Sequence, residues 1–233
     1  MDDNFLGILI VDKKKGMTSH DVVSLIRRRF GVKKVGHAGT LDPNATGVLV
    51  LLLGGATKLS GNFLNEDKEY EAVMKLGVRT ASGDPDAEII SEKEVNVGDA
   101  EIRKAVNSFV GEIEQMPPMF SAKKVQGKKL YQFARKGIEV EREPKKVTIK
   151  NIEITEIIMP LVKFKVVCGK GTYIRQLVDD IGEALVCGAH LQDLRRTRSG
   201  NFHIKDAVEV DKLLAMDRKA VETLAKLWSV ASH

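Results

Sequence analysis

With 233 residues, 43% of them hydrophobic and 30% charged, the chain is long enough for one large domain or two small ones around a real core, and it reads as globular and soluble. The formal charge of +5 points only weakly toward nucleic acid, because many basic proteins bind none. The longest purely apolar run, Val48 to Leu53, has the length of a strand and falls far short of the ~18–20 residues of a membrane-spanning helix.

The amino-terminal stretch carries acids ahead of its apolar patch and lysines behind it, the reverse of a secretory signal, so a cytoplasmic protein is expected. Its "GILIVDK" has the short apolar run of a buried strand. The segment "KKGMTSHDVVSLIRRRFG" reads as loop and helix: Thr18 is the N-cap with Asp21 three residues on, Val22, Ile26 and Phe30 share one face, and Gly31 stops it. "GVLVLLLGG" is a second strand. "EYEAVMKLGV" alternates, with Tyr70, Ala72, Met74 and Leu76 on one side and Glu71, Val73 and Lys75 on the other. "GDAEIRKAVNSFVGEI" has helical spacing, with Ile102, Val106, Phe109 and Val110 facing inward. "KKVTIKNIEITEI" and "LVKFKVVCG" form a strand pair, "TYIRQLVDDIGEALVCGA" a helix buried through Ile174, Leu177, Val178, Ile181 and Leu185, and residues 206–231 two short amphipathic helices. Strands and helices mix without a regular alternation. The expected class is therefore α+β, one mixed and largely antiparallel sheet with helices packed on it.

Charge is unevenly spread. Residues 118–146 hold nine Lys/Arg against three Glu, a surplus larger than that of the whole chain. Opening on Pro117-Pro118 and containing Gly127 and Gly137, this stretch reads as a protruding loop-and-helix insertion. Smaller basic groups stand at 27–29, at 33–34 and at Arg195, Arg196 and Arg198. Cys168 and Cys187 form neither a CxxC pair nor a metal spacing, so no disulfide scaffold and no metal site is expected.

The unusual stretch is "GHAGTLDPNATGVLVLLLGG", residues 36–55, in which glycines and a proline surround one carboxylate, Asp42. A phosphate loop would need GK[ST] after its glycines, and none follows. A calcium loop would need a bidentate glutamate at its twelfth position, where Leu53 stands. The sequon "NAT" lacks a signal peptide to bring it to the glycosylation machinery. A plain structural turn, or a seat for a catalytic acid, remains.

Five blocks in order resemble one family: "GHAGTLDPNATGVLVLLLGGATK", "KEYEAVMKLGVRT", "QMPPMFSAKKVQGKKLYQFARKG", "CGKGTYIRQLVDDIGEAL" and "LQDLRRTRSGNF" look like the TruB-type tRNA pseudouridine synthases. That resemblance implies isomerisation of the T-loop uridine at position 55 of tRNA, with the base flipped out of its stack and without cofactor or metal. It implies Asp42 as nucleophile, adding transiently to base or sugar, with Arg175 countering the carboxylate's charge. Tyr70 would stack on the base and handle the proton at carbon 5. Tyr173 and Leu194 match pocket positions, His37 the histidine that fills the gap left by the flipped base, and Lys13 a supporting residue. The basic segment matches a mobile "thumb" whose Lys123, Lys124, Lys128 and Lys129 would meet phosphates, with Phe120 and Tyr131 packing or stacking.

The sequence departs from the family pattern at Lys14, where proline is usual, at Gly169 for serine, and in "TASGDPDAE". Too few residues follow the last block for the PUA-type RNA-binding domain many relatives carry. One catalytic domain spanning 1–233, acting as a monomer with tRNA as its partner, is thus expected. The alternatives are a related ribosomal-RNA pseudouridine synthase, or an RNA-binding or tRNA-folding protein without catalysis.

Overall fold

The structure, a computed structural model, describes residues 6–121, 123–125, 127–134 and 136–230. In chain order the first elements are β1 (Leu6–Lys13), α1 (Ser19–Phe30), β2 (Val35–His37), β3 (Thr46–Gly54), α2 (Ser60–Leu64), β4 (Lys68–Leu76), β5 (Val78–Thr80), β6 (Ile89–Glu92), α3 (Asp99–Asn107) and β7 (Gly111–Gln115). There follow β8 (Lys124–Val125), β9 (Lys128–Lys129), α4 (Leu130–Ala134), β10 (Lys145–Ile158), β11 (Leu161–Cys168), α5 (Ile174–Ala184), β12 (Ala189–Ser199), β13 (Phe202–His203), β14 (Val208–Glu209), α6 (Val210–Ala215) and α7 (Arg218–Val230). The class is α+β, as expected. The chain divides into two compact units, one made of residues through Tyr70 together with those from Leu194 onward, the other of Glu71–Asp193.

In the first unit the strand order is β14, β1, β3, β12, with β2 also on β3 and β13 on β12. The pairs β1/β14 and β3/β12 are parallel, while β1/β3 is antiparallel from Leu6↔Gly54 to Lys13↔Gly47. Strand β3 is central, and Val48 to Leu53 are wholly buried, so both its faces are covered. This explains why its sequence runs apolar without alternating. One face packs Val48, Val50 and Leu52 against Ile8, Ile10, Ala38 and Phe202, and Phe63 lies tilted on Phe202 at 5.6 Å between ring centres. Helix α1 starts as the sequence predicts. Thr18 accepts from the Asp21 amide while the Asp21 carboxylate accepts from the Thr18 amide, and Gly31 closes the helix at φ 63°.

In the second unit β4, β11, β10 and β7 follow one another, with antiparallel pairing of β10 to both β11 and β7. Strand β4 alternates as read: Ala72, Met74 and Leu76 are buried and Glu71 is exposed. Two expectations are corrected. The helix read over 98–113 ends at Asn107, and Gly111–Gln115 form a strand instead. Val110, placed inward by helical spacing, is exposed. Pairing with β10, from Lys145↔Gln115 to Ile149↔Gly111, claims these residues, and Gly111 takes φ 113°, which breaks the helical path. The basic segment 118–146, read as a loop-and-helix insertion, holds the short strands β8 and β9 and the helix α4. Lys145 and Lys146 already belong to β10, and Leu130 at the start of α4 is fully buried. The carboxyl-terminal helix of the "TYIR" block stops at Ala184, ahead of "VCGA".

Candidate active site

The segment joining β2 to β3 carries Asp42, and its conformation follows from how β3 is paired. Strand β2 lies on the far end of β3, Val35↔Leu53 to His37↔Leu51, whereas β12 occupies its near end, Arg195↔Thr46 and Arg196↔Gly47. The connection must leave β2, turn beside β12 and re-enter β3. Gly47 makes this possible: at φ 99° it lies so close to Arg196 that a Cβ would run into the Arg196 backbone. No other residue type fits there.

Five consecutive backbone positions of this loop are held. Arg196 is 1% exposed, and its guanidinium donates to Gly39 O at 3.2 Å, Thr40 O at 3.4 Å and Val48 O at 2.7 Å. The buried hydroxyl of Ser19 accepts from Leu41 N at 2.8 Å and donates to Leu41 O at 3.1 Å. Ala45 N donates to Asp42 O, and Pro43 O accepts from Gly16 N at 2.9 Å and from Lys13 Nζ at 3.3 Å. The Asp42 side chain itself is half-buried. A carboxylate is thus presented at the surface of a loop whose backbone has little freedom left.

Lys13 is fully buried, and its ammonium also donates to Met17 O at 2.7 Å and Lys14 O at 3.1 Å. Burial lowers its pKa to about 8; the negative charge of Asp42 works against that shift, and the Arg196 guanidinium adds to it. Two buried cations therefore border the Asp42 loop. Leu194 is buried on β12, and its carbonyl accepts from Thr46 Oγ1 at 3.4 Å, next to the loop's return into β3. Tyr70 is buried on β4, and His37 is half-buried at the end of β2.

The remaining expected residues belong to the second unit. Tyr173 is the N-cap of α5, and the side chain of buried Gln115 grips its backbone at both ends, accepting from Tyr173 N at 2.8 Å and donating to Tyr173 O at 3.1 Å. Arg175, the second residue of the helix, is 5% exposed, which excludes a surface arginine. Its guanidinium donates to Ser82 O at 3.0 Å, to the Asp84 carboxylate at 3.1 Å and to Phe120 O at 2.8 Å. It lines a cavity of ≈ 340 Å³ together with Arg79, Ser82, Met116, Pro118 and Arg142. Lys123 is half-buried, and burial first, then the charge of Lys145, lowers its pKa. Lys124 and Lys128–Lys129 pair in a two-stranded hairpin; their side chains lie outside the described part of the structure.

Sequence reading missed Ser19, Asp84, Gln115 and the inward role of Arg196. Arg196, one basic group with Arg195 and Arg198 in the sequence, is buried, while Arg195 pairs with Asp12 at 2.6 Å and Arg198 with Glu69 at 3.5 Å. A short polar side chain such as Ser19 leaves no pattern in a sequence. The one available signal is local alternation within β12, where Leu194 and Arg196 are buried and Arg195 between them is only partly so.

This strand arrangement is the pseudouridine synthase fold. A solved Cbf5–Nop10–Gar1 complex matches 91% of this chain with TM-score 0.72 and 34% identity, and an H/ACA RNP bound to a substrate RNA containing 2'-deoxyuridine matches 91% with TM-score 0.69 and 31% identity. The chain spans about half the length of those chains, 54% and 53%. More specifically, the chain belongs to the TruB family of pseudouridylate synthases: the model of that family's N-terminal domain matches residues 27–174, and the model of the tRNA pseudouridylate synthase B C-terminal domain matches residues 175–227. Among curated relatives, tRNA pseudouridine synthase B of Alkaliphilus oremlandii is 51% identical over 91% of this chain and 71% of its own length. The same-named proteins of Burkholderia pseudomallei and Clostridium tetani are 49% and 48% identical over 89% of this chain, covering 68% and 72% of their own lengths.

Proposed function

We propose that the chain converts a uridine of tRNA to pseudouridine, that the target is position 55 in the T-loop, and that Asp42 is the nucleophile. The observation that carries this reading is the half-buried Asp42 carboxylate on a loop fixed at every position from Gly39 to Pro43. A nucleophile that must meet an everted base gains most from such fixing, because the ordering is complete before the substrate arrives. The bond from uracil N1 to C1′ of the ribose breaks, the uracil turns, and C5 bonds to C1′. The proton leaves C5 and N1 ends protonated, so atoms and electrons balance without a second substrate. Asp42 holds one fragment covalently while the ring turns, and either the base or the sugar can be that fragment.

Tyr70 is assigned to stack on the ring and to take the C5 proton, and Arg175 to balance the negative charge at the reacting centre. The burial of Arg175 and its fixed acceptors support a functional guanidinium. Identity of 48–51% with proteins named tRNA pseudouridine synthase B, against 31–34% with the structures of the Cbf5 and H/ACA complexes, favours tRNA over a guided ribosomal substrate. The test is tritium release from C5 of uridine in a T-loop RNA. Wild-type protein is expected to release it, and Asp42→Asn to bind the RNA without releasing any. An unmodified substrate after long incubation at high protein concentration would leave RNA binding without catalysis as the better reading.

A further inference from the structure

Arg196 stands out among the buried charged side chains. Its three acceptors are backbone carbonyls, and they lie on both sides of the Asp42 segment: Gly39 and Thr40 where the loop leaves β2, and Val48 just inside β3. Its own backbone sits in parallel register with Gly47, filling the space a side chain there would need. Lys68 reinforces the same region. This buried lysine donates to Phe63 O and Leu64 O at the end of α2 and to Glu66 O just past it, and its Cε lies 4.0 Å from where Gly39 would carry a Cβ, with the Arg196 guanidinium 3.6 Å from that point. Ammonium groups at Lys13 and Lys68 also reach three carbonyls each. A guanidinium, however, holds its N–H groups in one plane at fixed angles and so sets the directions of its acceptors relative to one another, which a point charge on a flexible stem does not.

We propose that Arg196 is a positioning residue for the reaction, setting where the Asp42 carboxylate stands by tying the two ends of its loop to β12. The inference rests on Asp42 being the nucleophile, and it assigns Arg196 no contact with the substrate. Burying a full charge against neutral carbonyls is a costly way to close a loop, and an apolar side chain would fill the space more cheaply. What the guanidinium adds is angular definition of several carbonyls together, which is what a reacting group needs and a passive turn does not.

The test compares Arg196→Lys and Arg196→Met with wild type in the full chain, by three readouts. Single-turnover tritium release should fall about 100-fold in Arg196→Lys, the scale of loss for a reacting group displaced by about 1 Å. Affinity for T-loop RNA, measured in an Asp42→Asn background, should stay within about twofold, so the loss is in the chemical step and not in binding. Hydrogen exchange should quicken about tenfold or more at residues 39–48 while β1, β10 and β11 exchange as before. Arg198→Gln on the same strand serves as the control and should leave loop exchange unchanged. The inference is overturned if Arg196→Lys keeps its rate, if exchange of the loop does not change, or if rate and global stability fall together with no selective change in the loop. Should Arg196→Met fail to fold, Arg196→Lys alone decides. If wild-type protein released no tritium, the proposed function would fail, and the exchange comparison would still decide whether Arg196 anchors the loop.

Discussion

Lys13 gives a test of the site's electrostatics that needs no RNA. Its ammonium is fully buried, donates to three carbonyls, and has a pKa lowered from 10.5 to about 8, chiefly by burial. Because the charged form is disfavoured in the folded protein, unfolded chains hold more protons than folded ones between pH 8 and 10.5. Stability must then rise with pH across that window, the opposite of what a lysine that gains a partner would do. A shift of about 2.5 pKa units is worth about 3 kcal/mol in full, of which about 2.5 kcal/mol appears between pH 7 and 10. Other groups titrate over the same range, so the quantity to measure is a difference: urea unfolding of wild type and Lys13→Met at pH 7, 8, 9 and 10. The wild-type stability minus that of the variant should climb steadily above pH 8. A difference flat within about 0.5 kcal/mol from pH 7 to 10 would refute the burial argument, and with it the picture of a desolvated cation facing Asp42.

Gly47→Ala should cost roughly 2–5 kcal/mol in denaturant unfolding, since alanine would meet both a left-handed φ and the Arg196 backbone; a change under about 0.5 kcal/mol would mean the strand contact yields easily. Val186 is an exposed β-branched residue at φ 64° just past α5, so Val186→Gly should raise stability by about 0.5–1 kcal/mol, the relieved strain less glycine's entropy, and a destabilised variant would contradict this. Neutralising Lys123, Lys124, Lys128 and Lys129 together should weaken RNA binding and make the slope of log affinity against log salt shallower by up to about 3; unchanged affinity and slope would remove the phosphate-contact role of this segment.

What could be read from the sequence followed from periodicity and from chain punctuation. The apolar run of β3, the alternation of β4 and the Thr18–Asp21 cap of α1 each rest on a local rule that packing does not override. The misreading at Phe109 and Val110 shows where such rules stop. Val106, Phe109 and Val110 satisfy helical spacing as well as any real helix face, yet the hydrogen bonds on offer from β10, thirty-odd residues onward, take Gly111–Gln115 into the sheet. Local pattern cannot register a partner that distant.

The candidate site divides along the same line. Asp42 and Tyr70 enter the candidate site through the resemblance of their blocks to one family, since the glycines and proline around Asp42 taken alone leave a plain turn open. Of the residues that hold the Asp42 loop, Lys13 comes from the same resemblance, whereas nothing in the sequence marks Ser19 or Arg196 for that role. Ser19 is the first residue of a helix, Arg196 is one of three arginines in four positions, and Lys13 opens a run of three lysines, so each carries the composition of a solvated surface. The structure buries all three, because what they serve is the unpaired backbone of a connection that has no strand partner of its own between His37 and Thr46. A loop made free by glycine must be made rigid again by something outside it, and side chains of β1, α1 and β12 are what stand close enough to do so. On the proposed reading the chemistry is encoded in Asp42 and its geometry in residues far along the chain, so Arg196→Lys, which keeps the charge and the signature around Asp42, is expected to lower the rate about 100-fold.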